Sequence, residues 1–168
     1  MTPASPQAPA VTVAEVRAVV AQVLDPEVPV LTIEDLGILR DVVVDENGRV
    51  DVTITPTYSG CPAMEAITKD VVAALAEHGF HEVGVRKVLS PAWTTDWMGD
   101  AGKRKLLDYG IAPPKPRSDG TVMVALSVRC PQCGSADTRE LSRFGSTACK
   151  ALWACNACRE PFDYFKKI

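Results

Sequence analysis

Apolar residues recur at helical spacing at Val13, Val16, Val19, Val20, Val23 and Leu24, and this periodicity predicts an amphipathic helix over 13–24. Thr12 and Glu15 frame its start as a capping box, each side chain satisfying an amide that the first turn leaves unpaired. Pro26 and Pro29 forbid its continuation. A period of two then takes over. Val50, Val52 and Ile54 alternate with Asp51, Thr53 and Thr55, and the segments 39–44 and 49–55 predict a hairpin turned at Asp45-Glu46-Asn47-Gly48. Met64, Ile67, Val71 and Leu75 form the buried stripe of a second helix, with Pro62 at its first position and its end near Gly79. Residues 83–89 read as a third strand, and a third helix is expected from Thr95 or Asp96 to Gly110.

The order helix, strand, strand, helix, strand, helix predicts an α/β (α+β) fold, a small three-stranded sheet covered by helices. Residues 1–10, rich in Pro and Ala, are expected to be a disordered tail, and 11–112 the folded domain. Three prolines stiffen a linker at 113–120. Residues 121–168 are a second, cysteine-bearing domain.

Charge divides along the same line. Residues 1–120 hold 11 Lys/Arg against 17 Asp/Glu, and 121–168 hold 7 against 4. An acidic body with a mildly basic tail argues against nucleic acid as the main partner. The first ten residues contain no basic start and no apolar run, so no secretory signal is expected, and no stretch is long enough to span a membrane. A reducing, cytoplasmic setting follows, in which paired Cys-x-x-Cys motifs read as metal ligands rather than disulfides.

Two such motifs are present, Cys130-Pro131-Gln132-Cys133 and Cys155-Asn156-Ala157-Cys158. Each delivers two sulfurs from one tight turn, and together they complete a tetrahedral zinc site with no open position, the signature of a structural zinc ribbon. The 21 residues between the pairs exceed the usual ~15–20, so Cys149 competes as a ligand. Cys155 and Cys158 are preferred because only they form a Cys-x-x-Cys turn.

Such a site explains the folding of the tail and leaves function to Cys61. In Gly60-Cys61-Pro62 it precedes the second helix and is expected to be its N-cap, where the helix dipole favours a thiolate able to bind soft metals or attack an electrophile. The competing reading is a small buried hydrophobe. Asp25 and Glu27 lie beside two prolines and on physical grounds alone read as a solvated turn. Trp93 and Trp97 stand four apart among small polar residues; one is expected in the core, and the other is a candidate anchor for a partner protein. His78 and His81 flank the Gly79 helix end as a solvated pair. No phosphate-binding loop, G-x-S-x-G or H-E-x-x-H motif occurs.

Asp25-Pro26-Glu27-Val28-Pro29, Leu36-Gly37 and Thr55…Gly60-Cys61-Pro62 resemble the small domain of iron–sulfur cluster assembly and targeting factors. The stretch 90–97, the segment Phe144-Gly145-Ser146-Thr147…Cys149-Lys150-Ala151-Leu152 and the ribbon resemble, within that family, the D subunits of bacterial phenylacetyl-CoA epoxidase systems of aerobic phenylacetate degradation. The resemblance covers residues 11–168 and implies an accessory, maturation role rather than turnover. It also implies that Cys61 contacts a transient iron–sulfur cluster, that Asp25 and Glu27 lie near it, and that the client is an epoxidase component, foremost the reductase carrying flavin and a [2Fe–2S] cluster. A cluster takes four cysteine ligands, so one Cys61 per chain requires a second copy in a homodimer or a client to supply the rest. Two other functions compete: a thiol-dependent enzyme with Cys61 as nucleophile, and a zinc-ribbon module that binds protein or nucleic acid.

Overall fold

A computed structural model describes residues 12–115 and 128–168; the expected tail, most of the linker and the start of the ribbon, through 127, lie outside the described residues. Helix α1 (Val13–Val20) opens with the expected capping box: the Thr12 hydroxyl accepts from the Glu15 amide, and the Glu15 carboxylate accepts from the Thr12 amide at 2.8 Å. The helix is four residues shorter than its hydrophobic period predicts. Beyond Ala21 the backbone groups are claimed by the segment that returns alongside, with Ile33 donating to the Val23 carbonyl and Asp25 to that of Leu31. Pro26 adds a local reason, since it disfavours helical geometry at Asp25.

Strands β1 (Leu39–Val44) and β2 (Val50–Ile54) form the expected antiparallel hairpin. After helix α2 (Ala63–Glu77), β3 (Val83–Lys87) returns parallel to β2, giving the order β1-β2-β3. Met64, Ile67, Val71 and Leu75 all point inward from α2 and are buried, as their spacing requires. The third helix departs from expectation. Thr94 caps only a 3-10 turn at Thr95–Trp97, Met98 and Gly99 are extended, and helix α3 starts at Asp100 and ends at Asp108. Gly99 instead gives its amide to the Asp35 carbonyl at 3.0 Å, which breaks the helical run.

A second sheet holds the cysteines, in the order β4-β7-β6-β5, built from β4 (Ile111–Ala112), β5 (Thr138–Ser142), β6 (Lys150–Cys155) and β7 (Pro161–Phe165). Its first strand comes from the end of α3 and pairs parallel with β7. The two sheets are further joined by side chains. Phe165 and Cys149 belong to the same buried cluster as α1, α2 and the first sheet, and Trp93 lies 6.2 Å from the Phe165 ring. The Ile168 carbonyl accepts from both the amide and the hydroxyl of Thr95.

Gly37 shows how closely the loop after α1 is packed. Its φ is +70°, and a Cβ there would lie 2.5 Å from the Trp97 carbonyl oxygen. Gly48 has a similar φ of +81° with nothing within 4 Å. Gly37→Ala should therefore cost about 2–4 kcal/mol, backbone strain plus overpacking, whereas Gly48→Ala should cost only about 1 kcal/mol. Urea denaturation midpoints of the two variants check this; equal losses would mean that the Trp97 contact carries no energy.

Candidate functional site

The four sulfurs of Cys130, Cys133, Cys155 and Cys158 lie within 4.8 Å of one another. Two near-identical turns place them. Gly134 donates to the Cys130 carbonyl and Arg159 to that of Cys155, and both donors sit at left-handed φ, +73° and +70°. The Cys130–Cys158 and Cys133–Cys155 sulfurs are 3.7 and 3.5 Å apart. A tetrahedron with metal–sulfur bonds of ~2.3 Å sets its sulfurs ~3.8 Å apart, so the cluster fits zinc and leaves no open position. The Cys158 amide, donating to the Cys155 sulfur, pulls that thiol down to about 7. A thiolate among thiols is the state that a bound dication completes.

Cys149 is not part of this cluster. It immediately precedes β6 and Cys155 ends it, and six residues of extended chain separate the two by ~20 Å. The Cys149 thiol is instead buried against the first sheet and its helices, where it meets the other candidate residues.

Those residues converge from three segments. In the loop after α1, the buried Asp25 carboxylate accepts from the Glu27 and Val28 amides, each at 2.8 Å, and folds the Pro26–Pro29 segment around itself. Before α2, Cys61 is half-buried and packs against the main core. From the ribbon, Lys150 is buried to 5% exposure, with its ammonium 3.4 Å from the Glu27 carbonyl and 3.7 Å from the Asp163 carboxylate. The Thr147 hydroxyl touches the Cys149 sulfur at 3.1 Å. Asp25 is thus buried and Glu27 half-buried, and neither lies in the solvated turn that the sequence suggests.

The electrostatics revise one expectation. Cys61 lies one residue outside the N-cap, which is Pro62. Burial raises its thiol above the ordinary value; the Ala63 amide pulls the other way, and Glu27, Asp25 and Cys149 add to the rise. A thiol in this acidic surrounding is held protonated, not poised as a free thiolate. Partial burial, with the charges of Cys61, Glu27 and Cys149, pushes Tyr58 up to about 12, so its hydroxyl remains a donor beside the Cys61 sulfur.

The tryptophans separate. Trp93 is 3% exposed and its ring N–H donates to the Leu36 carbonyl at 2.9 Å, so burial removes it from the candidate partner contacts. Trp97 is half-buried, with the Arg40 guanidinium 3.6 Å over its ring. His78 bonds the Ala74 carbonyl at the far end of α2, about 22 Å from Cys61 along 15 residues of helix, and His81 lies beyond it. The sequence reading did not single out Tyr58 or Lys150, and it weighed Cys149 only as a rival zinc ligand. The only available signal was that Cys149-Lys150 sits inside the Phe144–Leu152 motif.

Both halves of the chain match known families. An "Iron-sulfur cluster assembly protein" family model covers 13–86, and a "PaaD zinc beta ribbon domain" model covers 114–166. The chain is 50% identical over 92% of its length, and 92% of the relative's, to the putative D component of the 1,2-phenylacetyl-CoA epoxidase of Escherichia coli. The chain belongs to the PaaD family. The chain is also 40% identical over 83 residues to the Bacillus subtilis "Fe-S protein maturation auxiliary factor YitW", which is 49% of this chain and 80% of that protein. A Bacillus anthracis crystal structure of a "Domain of Unknown Function DUF59" superposes with a TM-score of 0.53 and 32% identity, over 56% of this chain and 90% of that one. No helix among the described residues is long and apolar enough to cross a membrane.

Two measurements test the site as built. Cys130→Ser or Cys155→Ser should lower zinc from one ion per chain to none and unfold the ribbon while α1 and α2 persist, because binding free energy in such sites is largely folding free energy. Cys149→Ser should keep its zinc; loss of the metal from that variant would overturn the ligand assignment. Asp25 gives the second. Burial raises its carboxyl above the ordinary 3.8, against the Val28 and Glu27 amides and Lys150. The folded state then holds the proton to higher pH than the unfolded chain, so stability falls as pH rises from about 3.8 through the raised value and is flat beyond it. Asp25→Asn keeps the oxygen that accepts both amides and should shrink this fall in urea midpoints, leaving the part that Glu27 contributes, whose carboxyl burial also raises; an unchanged fall would mean that Asp25 does not carry it.

Proposed function

We propose that the protein is an accessory factor of the phenylacetyl-CoA epoxidase system that assists iron–sulfur cluster assembly, with the cluster as cargo and the [2Fe–2S] flavin reductase as client. The observation that carries this reading is Cys61 itself, a half-buried thiol with two carboxylates and a phenol around it and both histidines at the far end of α2. A cysteine nucleophile is activated by an adjacent base such as histidine or by a lowered pKa; burial raises the Cys61 thiol, and both histidines are out of its reach. Ligation suits this thiol better, because an arriving cation displaces the proton that the acidic surrounding retains. The names of the relatives support the same class: three are Fe–S protein maturation auxiliary factors and one is a putative epoxidase component.

A cargo site must also release what it holds. One chain offers fewer than the four thiolates that make a permanent cluster site, so the remaining ligands come from the client and draw the cluster onward. Trp97, which keeps exposed surface, is the residue retained as a contact for such a partner.

The test is Cys61→Ser, which keeps an oxygen to accept the Ala63 amide. The variant should fold, retain one zinc and fail to restore phenylacetate-dependent growth to a strain lacking the protein. The reductase purified from that strain should be depleted in [2Fe–2S] cluster by absorbance and iron content. Normal growth with a fully loaded reductase would overturn the maturation reading.

A further inference from the structure

Cys149 has an environment that packing alone does not require. A structural cysteine behaves as a small hydrophobe among apolar side chains. This one is 4% exposed, yet it has a hydroxyl 3.1 Å from its sulfur and a buried ammonium on the next residue. That ammonium reaches the Glu27 carbonyl, which ties the start of β6 to the loop beside Cys61. Three further bonds hold the segment still: Lys166 donates to the Cys149 carbonyl at 2.9 Å, Gly145 to that of Lys150 at 2.8 Å, and Lys150 to that of Thr147 at 3.1 Å. The two thiols thus come from the loop before α2 and the turn before β6 to one buried cluster, Cys149 within it and Cys61 packed against it.

We propose that Cys61 and Cys149 form a two-thiol site for a thiophilic metal, the ribbon supplying the second ligand to the cargo held by the first. Two thiolates add two negative charges to a site that already contains Asp25 and Glu27, and Lys150 is the cation placed to offset them. A pair also changes the count at transfer: this chain contributes two of the four ligands of a cluster, and the client contributes two. The identity of the cargo rests on the maturation reading; the pairing does not.

Phenylarsine oxide tests the pairing directly, because its arsenic bridges two neighbouring thiols. Two As–S bonds form, the arsenic–oxygen bond breaks, and the oxygen leaves as water with both thiol protons, without any redox change. Zinc-loaded full-length protein, treated anaerobically, should take up one arsenical that links Cys61 to Cys149 in peptide mass spectra. Cys61→Ser and Cys149→Ser should each reduce uptake at least tenfold while zinc stays at one per chain. Cys149→Ala serves as the second variant if serine at this buried position unfolds the chain. Iron retained after anaerobic incubation with ferrous ion and sulfide should fall in the same variants. Wild-type arsenical uptake and iron retention in the Cys149 variants would overturn the pairing and leave the maturation reading standing. A bridged arsenical together with a fully loaded reductase in the Cys61→Ser strain would keep the pair and overturn the cargo.

Discussion

The Lys150 ammonium is the charge on which the joining of the two sheets depends. Even after relaxation, a buried ammonium without partners costs several kcal/mol, so a lysine at 5% exposure constrains whatever surrounds it. Its partners come from both sides of the junction: the Glu27 carbonyl from the loop after α1 and the Asp163 carboxylate from β7. The Phe144–Thr147 segment is shaped around the same pair. Ser146 bonds Asp163, and a Cβ on Gly145 would come within 2.9 Å of an Asp163 carboxylate oxygen and 3.3 Å of the Lys150 Cβ. The glycine leaves room for an ion pair whose lysine is buried and whose aspartate is half-buried.

Once Lys150 is fixed, β6 becomes a strut between two kinds of sulfur chemistry. At one end Cys155 enters a closed set of four thiolates, which can only hold metal. At the other, Cys149 enters a mixed setting of thiols, carboxylates, a phenol and an ammonium, in which ligands are too few to saturate a cation. Extended chain keeps the two ends ~20 Å apart, too far for a metal at one to draw ligands from the other. The sequence places both cysteines in one tail only six residues apart, and the strand assigns them to different sites.

What was legible follows from the range of the forces involved. The α2 stripe, the β1–β2 hairpin and the Thr12–Glu15 cap are set by residues within a few positions of each other, and each formed as its pattern predicts. The zinc ligands were legible because a Cys-x-x-Cys turn contains its own geometry. The end of α1 was not, because Val23 and Leu24 keep the helical period while their backbone bonds pass to residues 32–33. Strand β4 is two residues long, with no period to detect, and it exists only through its pairing with β7. Cys149 was ambiguous for a related reason: apart from Thr147 and Lys166, the groups it is buried near, around Cys61 and Glu27, lie about ninety residues or more away in the chain.

The zinc then has a role beyond holding the ribbon. If the stability of this sheet is largely metal-binding free energy, as in other structural zinc sites, the register of β6 against β7 is expected to hold only while the four thiolates are occupied. That register carries Lys150 to Glu27 and presses Cys149 and Phe165 into the core of the first sheet. Loss of zinc would then remove the strut and with it the second thiol and the buried cation, leaving Cys61 among carboxylates with no positive charge from the ribbon. The structural metal at one end of β6 and the proposed cargo site at the other are therefore coupled through folding, although no ligand is shared between them.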